Sequence, residues 1–117
     1  MQDLDPSSSD EKNSERDDSV EDRFNYYIRN LSDENPGKRW KAADSLGRLG
    51  DPRAVEPLID ALSDDDRRVR VKVIWALGSI GDVRALAPLQ QLYRIEADDN
   101  REIIEEALAE IKRQMIK

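Results

Sequence analysis

The 117-residue sequence contains no cysteine and no histidine. Without cysteine it offers no disulfide, no thiolate nucleophile and no sulfur ligand for a metal. Without histidine it also lacks the commonest general base and the commonest metal ligand of proteins. We therefore expect no cofactor and no metal site, and we predict a protein that is not an enzyme and that works in a reducing compartment.

Long apolar runs are also missing, since no stretch approaches the roughly 20 residues needed to cross a bilayer. The first residues lack the basic and apolar segments of a signal peptide, so we expect a cytoplasmic protein with no membrane partner. Aromatic residues are scarce, with two Trp, one Phe and three Tyr. The position of each tryptophan is therefore informative.

Charged residues are abundant, at 38% of the chain, but they are unevenly placed. Residues 1–22 hold nine carboxylates against two basic side chains, whereas the remainder has seventeen of each sign. A neutral body argues against non-specific nucleic-acid binding, which needs concentrated Lys and Arg. Residues 1–19 are rich in Ser, Asp and Glu and can bury too little to fold. We predict a disordered acidic tail there, either a solubilising segment or a short interaction arm.

The dominant feature of the sequence is a repeat of 31 residues, because residues 32–62 and 63–93 align without a gap. Twelve positions are identical, among them Gly47/Gly78, Gly50/Gly81 and Pro57/Pro88. Self-similarity at a fixed period of this length is typical of a solenoid, in which each unit buries its apolar face against its neighbours.

Each repeat is predicted to form two helices, a first-type helix (about residues 36–49 and 67–80) and a second-type helix (about 52–62 and 83–93). One face of the later first-type helix is apolar at 3.6-residue spacing, with Val69, Val73, Ala76, Leu77 and Ile80. Gly50 and Gly81 then fit left-handed C-terminal caps.

Three further positions define the repeat. Asp51 and Asp82 are predicted to be the N-caps of the second-type helices. The early prolines of those helices predict a late or kinked start of the regular helix. Gly47 and Gly78 lie inside first-type helices, where glycine is costly, so we expect a close approach of a neighbouring helix.

Single helices are predicted at both ends. Residues 20–31 carry the apolar pattern of a second-type helix, and residues 98–115 carry that of a first-type helix with glutamates outside. The acidic runs at 63–66 and 98–99 fit no calcium loop and are explained by N-capping and the helix dipole. We therefore predict an all-α fold, a short α-α superhelix or solenoid. It comprises a cap helix in 20–31, repeats 32–62 and 63–93, and a C-terminal cap helix in 94–117.

The segments VRVKVIWALGSIGDVRALAPL and RWKAADSLGRLGDPRAVEPLIDAL resemble HEAT-like repeats of the short subtype named after the phycobilisome lyases. The resemblance covers residues 32–93, with 20–31 and 98–115 as half-repeats, and implies an armadillo-type fold. Proteins of this family serve as interaction scaffolds, as chromophore-lyase subunits or as di-iron hydroxylases. The hydroxylases hold iron with His-Glu pairs, so the absence of histidine excludes that role here.

The candidate site lies on the first-type helices, on the side opposite the core. A helical wheel places Trp40 and Trp75 there on neighbouring helices. The predicted partner-binding residues, called here the tryptophan face, are Trp40, Lys41, Asp44, Arg48, Arg68, Val71, Lys72, Trp75 and Ser79. The resemblance implies that these positions are the variable ligand-facing surface. On the last first-type helix the same side carries Glu102, Glu106 and Glu110, so the surface runs from aromatic and basic to acidic.

Two interpretations of the tryptophan face remain open. Exposed Trp beside Arg is the composition of an interface hot spot. Alternatively, the rings cover the groove between stacked helices as internal packing.

Several functions follow from these interpretations. The first is a scaffold or adaptor that binds another protein, and the second is an accessory subunit of an enzyme such as a chromophore-lyase-like complex. Less favoured is a nucleic-acid backbone binder using the basic clusters around Arg39 and Arg70, which we expect instead to lie on a solvated helix face. Weak homo-oligomerisation through the tryptophan face or along the stack stays open.

Overall fold

The computed structural model describes residues 19–95 and 98–116. In this part of the chain the regular structure is helical and contains no strand, which confirms the predicted all-α fold. The α-helices are α1 (19–30), α2 (Pro36–Leu49), α3 (Val55–Asp60), α4 (Arg67–Ile80), α5 (Leu86–Ile95) and α6 (Asp98–Met115). Short 3-10 helices flank the second-type helices at Pro52–Ala54, Ala61–Ser63 and Val83–Ala85.

The helices form two layers around one core. The first-type helices stack in the order α2, α4, α6, while α3 and α5 pack behind them against α4 and α6. Leu46, Leu58, Leu77 and Leu89 are fully buried between the layers. Phe24 of α1 joins the same core.

The ends of the helices are those that the repeat predicts. Gly50 and Gly81 have φ of 70° and 77°, the left-handed conformation that glycine adopts without strain. The Asp51 carboxylate accepts the backbone N–H of Arg53, and Asp82 does the same for Arg84. These contacts satisfy N–H groups that have no partner inside a helix, so each repeat begins its second-type helix at a defined residue.

The early prolines have the predicted effect. The second-type segment opens with a 3-10 turn, and regular α-helix begins only at Val55 and Leu86. Pro57 and Pro88 are thus the third residues of α3 and α5, in the first turn, where a missing N–H costs no helical hydrogen bond. In the helix predicted over 52–62, only Val55–Asp60 is α-helical, and a 3-10 turn lies at each end. The helix predicted to end at residue 93 continues to Ile95.

The buried face of α4 is wider than the apolar face that the 3.6-residue periodicity predicts. Ile74 is fully buried although it lies off the predicted apolar face, while Ile80, on that face, is only half-buried. The reason is the position of α4, which has α2 on one side and α6 on the other. A helix with neighbours on both flanks buries a broader arc than a helix at the edge of a layer.

The predicted acidic tail lies outside the described residues, except for Ser19, which already belongs to α1. The predicted C-terminal cap corresponds to α6, whose bounds match the apolar pattern over 98–115. Among the described helices, none has the length and hydrophobicity that crossing a bilayer would require.

Candidate partner-binding face

The two tryptophans meet across a lysine. Lys72 Nζ lies 4.7 Å from the centre of the Trp40 ring and 4.5 Å from the centre of the Trp75 ring. Both distances are within the range of cation–π attraction. The rings remain 39% and 38% exposed, so α2 and α4 together present an aromatic patch to solvent with an ammonium group at its centre.

Asp44 holds this lysine in place. Its Oδ1 lies 3.1 Å from Lys72 Nζ, and its Oδ2 accepts a hydrogen bond of 2.9 Å from Arg48 Nε. Burial raises the pKa of Asp44, but the contacts with Arg48 and Lys72 outweigh burial and keep the pKa below its ordinary value. The carboxylate therefore stays ionised and offsets one of the two positive charges of Lys72 and Arg48.

Trp75 also has a packing role. One edge of its ring lies over Gly47 of α2, where an added Cβ would come within 2.5 Å of Cζ3. Ser79, one turn further along α4, donates a hydrogen bond of 3.2 Å to the Gly47 carbonyl oxygen. Trp75 thus packs against α2 with one edge and is exposed elsewhere, so the two interpretations of this ring are compatible.

The other predicted residues lie around this centre. Arg68 is exposed and lines a groove of about 360 Å³ with Trp40 and Gly37, between the first turns of α2 and α4. Val71 is half-buried. Lys41 does not join the cluster around Lys72, because it lines a separate groove with Tyr26 on the α1 side of α2.

A larger groove, of about 460 Å³, runs between α4 and α6. We call it the α4–α6 groove. Its lining includes Trp75, Gly78, Ile103, Glu106, Ala107 and Glu110. The helical wheel of one helix does not reveal such a groove, since it needs two helices at a known separation. The signal in the sequence is the small residues Gly78 and Ala107, where α4 and α6 come into close contact and no long side chain stands between them.

A profile of the family described as HEAT repeats matches residues 27–109, which is well over half of the chain. The chain belongs to the HEAT-repeat family. A comparison with curated proteins gave no match. HEAT repeats commonly mediate protein–protein interaction, and the match extends from α1 into α6, so it includes every residue of the tryptophan face.

One arginine in each basic cluster of this HEAT-repeat protein has a structural role. Arg39 donates two hydrogen bonds, of 2.7 and 3.0 Å, to the Asp64 carboxylate and a third to the Asp33 carbonyl oxygen. Its side chain is only 13% exposed, so the expected solvated helix face is wrong for this residue. The fork of the guanidinium explains the burial, because it satisfies several acceptors at once.

The same arginine recurs in each repeat. Arg70 donates to the Asp64 carbonyl oxygen at 2.9 Å, as Arg39 does to that of Asp33, six residues earlier in both cases. Arg101, at the same position of α6, donates to the Tyr93 carbonyl oxygen at 3.1 Å. Each of these side chains therefore ties its first-type helix to the end of the preceding segment, which removes it from any free basic patch.

The acidic run before α4 is used in the same structural way. Asp64 accepts the backbone N–H of Asp66 as well as the bonds from Arg39, and Asp66 caps α4 by accepting from Arg68 N and Val69 N. Among the side chains that the structure describes, in residues 19–95 and 100–116, no three Asp or Glu are grouped so that they could hold a metal ion.

Proposed function

We propose that this HEAT-repeat protein is a non-catalytic adaptor that binds another protein through its tryptophan face. The observation that carries the proposal is the pair of exposed indole rings, Trp40 and Trp75, joined across Lys72. Large aromatic side chains near the centre of an interface account for a large share of binding energy, since they bury much area and lose little side-chain entropy.

The rigidity of the face supports this proposal. Ser79 and Trp75 connect α4 to Gly47 of α2, and Arg39 connects α2 to the loop before α4. The patch is therefore assembled before a partner arrives. A preformed surface loses less conformational entropy on binding than a flexible one, which favours affinity.

A catalytic role has little chemical support. The chain has no histidine or cysteine, and its most buried carboxylates are engaged: Asp44 by Lys72 and Arg48, and Asp64 by Arg39. We extend the proposal to the phycobilisome-lyase HEAT-like subtype and to a cytoplasmic location, which rest on the sequence motifs and on the absence of cysteine.

The experiment compares three immobilised proteins in source-cell lysate: the wild type, Trp40→Ala/Trp75→Ala, and Tyr26→Ala. Tyr26 is the matched control, because it is an exposed aromatic residue that lies off the tryptophan face. Circular dichroism checks that each variant is folded. We expect a protein retained by the wild type and by Tyr26→Ala but lost from the double variant.

Because Trp75 packs on Gly47, the single variant Trp40→Ala separates binding from folding. It leaves that packing contact intact while it removes one ring from the patch. Equal retention of every bound protein by the wild type and by a folded Trp40→Ala/Trp75→Ala variant would contradict the proposal.

A further inference from the structure

Two unpaired negative charges lie at the α6 end of the α2–α4–α6 side. Lys72 and Arg48 share the single carboxylate of Asp44, so this group of three side chains keeps one positive charge on the α2–α4 part of that side. By contrast, neither Glu102 nor Glu106 makes a hydrogen bond or ion pair with another described residue, and both are exposed. They lie one turn apart on α6 and therefore project to the same side of the helix.

Glu106 is also on the rim of the α4–α6 groove. The exposed ring of Trp75, on α4, lies across the groove from Glu106. The small residues Gly78 and Ala107 form the floor of the groove. Arg113 is nearby but is paired with Glu110, which leaves Glu106 as the carboxylate without a cation. The groove thus combines an apolar floor, an aromatic wall and an unpaired negative charge.

This combination fits one type of side chain. An arginine has an apolar stem that can cover Gly78 and Ala107, and a planar cation that stacks on an indole ring and pairs with a carboxylate. Lysine has the charge but not the planar face. Acidic side chains and phosphate groups would be repelled by the two glutamates.

We propose that the α4–α6 groove binds an arginine side chain on a segment of the partner protein, with the guanidinium between Trp75 and Glu106 and with Glu102 adding to the attraction. The inference rests on the proposed function, since Trp75 belongs to the tryptophan face. The inference adds the chemistry of the partner protein. The partner presents a basic segment, and an arginine of that segment binds at the α6 end of the tryptophan face.

The test uses the full chain with Trp40→Phe, which leaves Trp75 as the single tryptophan. Its fluorescence is followed during titration with the blocked peptide acetyl-Ala-Leu-Arg-Leu-Ala-amide and with the same peptide carrying citrulline, a neutral analogue of arginine. We expect a saturable change with the arginine peptide at a Kd of roughly 0.1–1 mM, as befits one anchor side chain. The citrulline peptide should bind at least about tenfold more weakly, the difference made by 1.4 kcal/mol.

Two variants locate the site. Glu106→Gln should weaken the arginine peptide about tenfold and reduce the salt dependence of the remaining affinity, because one charge pair is lost while Glu102 still attracts the cation. Glu34→Gln, the same change at an exposed position in the loop between α1 and α2, should leave the affinity unchanged. The proposal is overturned by the absence of a saturable change, by equal binding of the citrulline peptide, or by unchanged affinity in Glu106→Gln. Those results leave the proposed function intact if a protein is still lost from Trp40→Ala/Trp75→Ala.

Discussion

Gly78 of α4 faces Ala107 of α6 so closely that a Cβ added to the glycine would lie 2.9 Å from both the Cα and the Cβ of the alanine. One repeat earlier, a Cβ on Gly47 would lie 2.9 Å from the same two atoms of Ala76. The repeat therefore places a glycine wherever one first-type helix lies against the next, and this contact sets the spacing of the stack.

Replacing Gly78 by Ala should lower the free energy of unfolding by about 1–2 kcal/mol. The added methyl group must push α4 and α6 apart, and the strain of overpacking exceeds the gain of about 1 kcal/mol in helix propensity. Urea unfolding followed by circular dichroism measures the change.

Ala109→Gly is the control, since residue 109 holds the same position in the last first-type helix and is exposed. It should lose only about 1 kcal/mol, from propensity alone. A Gly78→Ala protein as stable as the wild type would contradict the close-approach argument.

The sequence predicts most of the fold because each signal occurs twice. A single glycine inside a helix is ambiguous, but glycine at 47 and again at 78 predicts a packing contact, and the structure confirms it. The burial of Ile74 was not predictable from the wheel of α4 alone, because it depends on the presence of helices on both flanks.

For the tryptophan face, the sequence predicts which side of each helix a residue lies on, but not which residues of a neighbouring helix it contacts. A helical wheel shows that Trp40, Lys72 and Trp75 lie away from the core, yet it gives no distance between residues on different helices. In the structure, Lys72 lies between the two rings, whereas Lys41 lies on the α1 side of α2. Both placements depend on the lateral spacing of the helices. The burial of Arg39 follows likewise from the position of Asp64 in the next repeat.

Replacing Lys72 by Met should lower the free energy of unfolding by about 1–3 kcal/mol. The change removes two cation–π contacts and leaves the mostly buried Asp44 carboxylate with Arg48 as its remaining cation. Adding Asp44→Asn should recover part of this loss, since the uncompensated charge disappears. A double-mutant cycle by urea unfolding measures the coupling. Strictly additive effects of the two changes would contradict the ion pair.

The stability should fall as the pH drops below about 4. Hydrogen bonds from Arg53 lower the pKa of Asp51 below its ordinary value of 3.8, and those from Arg84 do the same for Asp82. Since the folded-state pKa is the lower one, the unfolded chain takes up protons first as the pH falls. The contribution of these pairs is therefore complete above pH 3.8 and is lost as the pH falls through the folded-state values.

The measurement is the urea midpoint at several pH values from 6 to 2.5. The variant Asp51→Asn/Asp82→Asn keeps side-chain oxygens that can cap the helices but has no charge to protonate, so its midpoint should decline less with acid. Asp60→Asn, at an exposed position whose carboxylate makes no ion pair with another described residue, is the control and should follow the wild type. Parallel acid profiles for all three proteins would exclude this origin of acid sensitivity.

The pair of Arg39 and Asp64 gives the test that separates a structural role of the basic cluster from nucleic-acid binding. Replacing Arg39 by Met should cost about 3 kcal/mol or more, because it leaves the buried Asp64 carboxylate without the cation that pairs with it and the Asp33 carbonyl oxygen without its donor. The further change Asp64→Leu should restore much of the loss, since two apolar side chains replace two buried charges. Urea unfolding of the two variants beside Arg94→Met, at an exposed position, gives the comparison. If Arg39→Met cost no more than Arg94→Met, the arginine would be available at the surface and the nucleic-acid interpretation would regain its support.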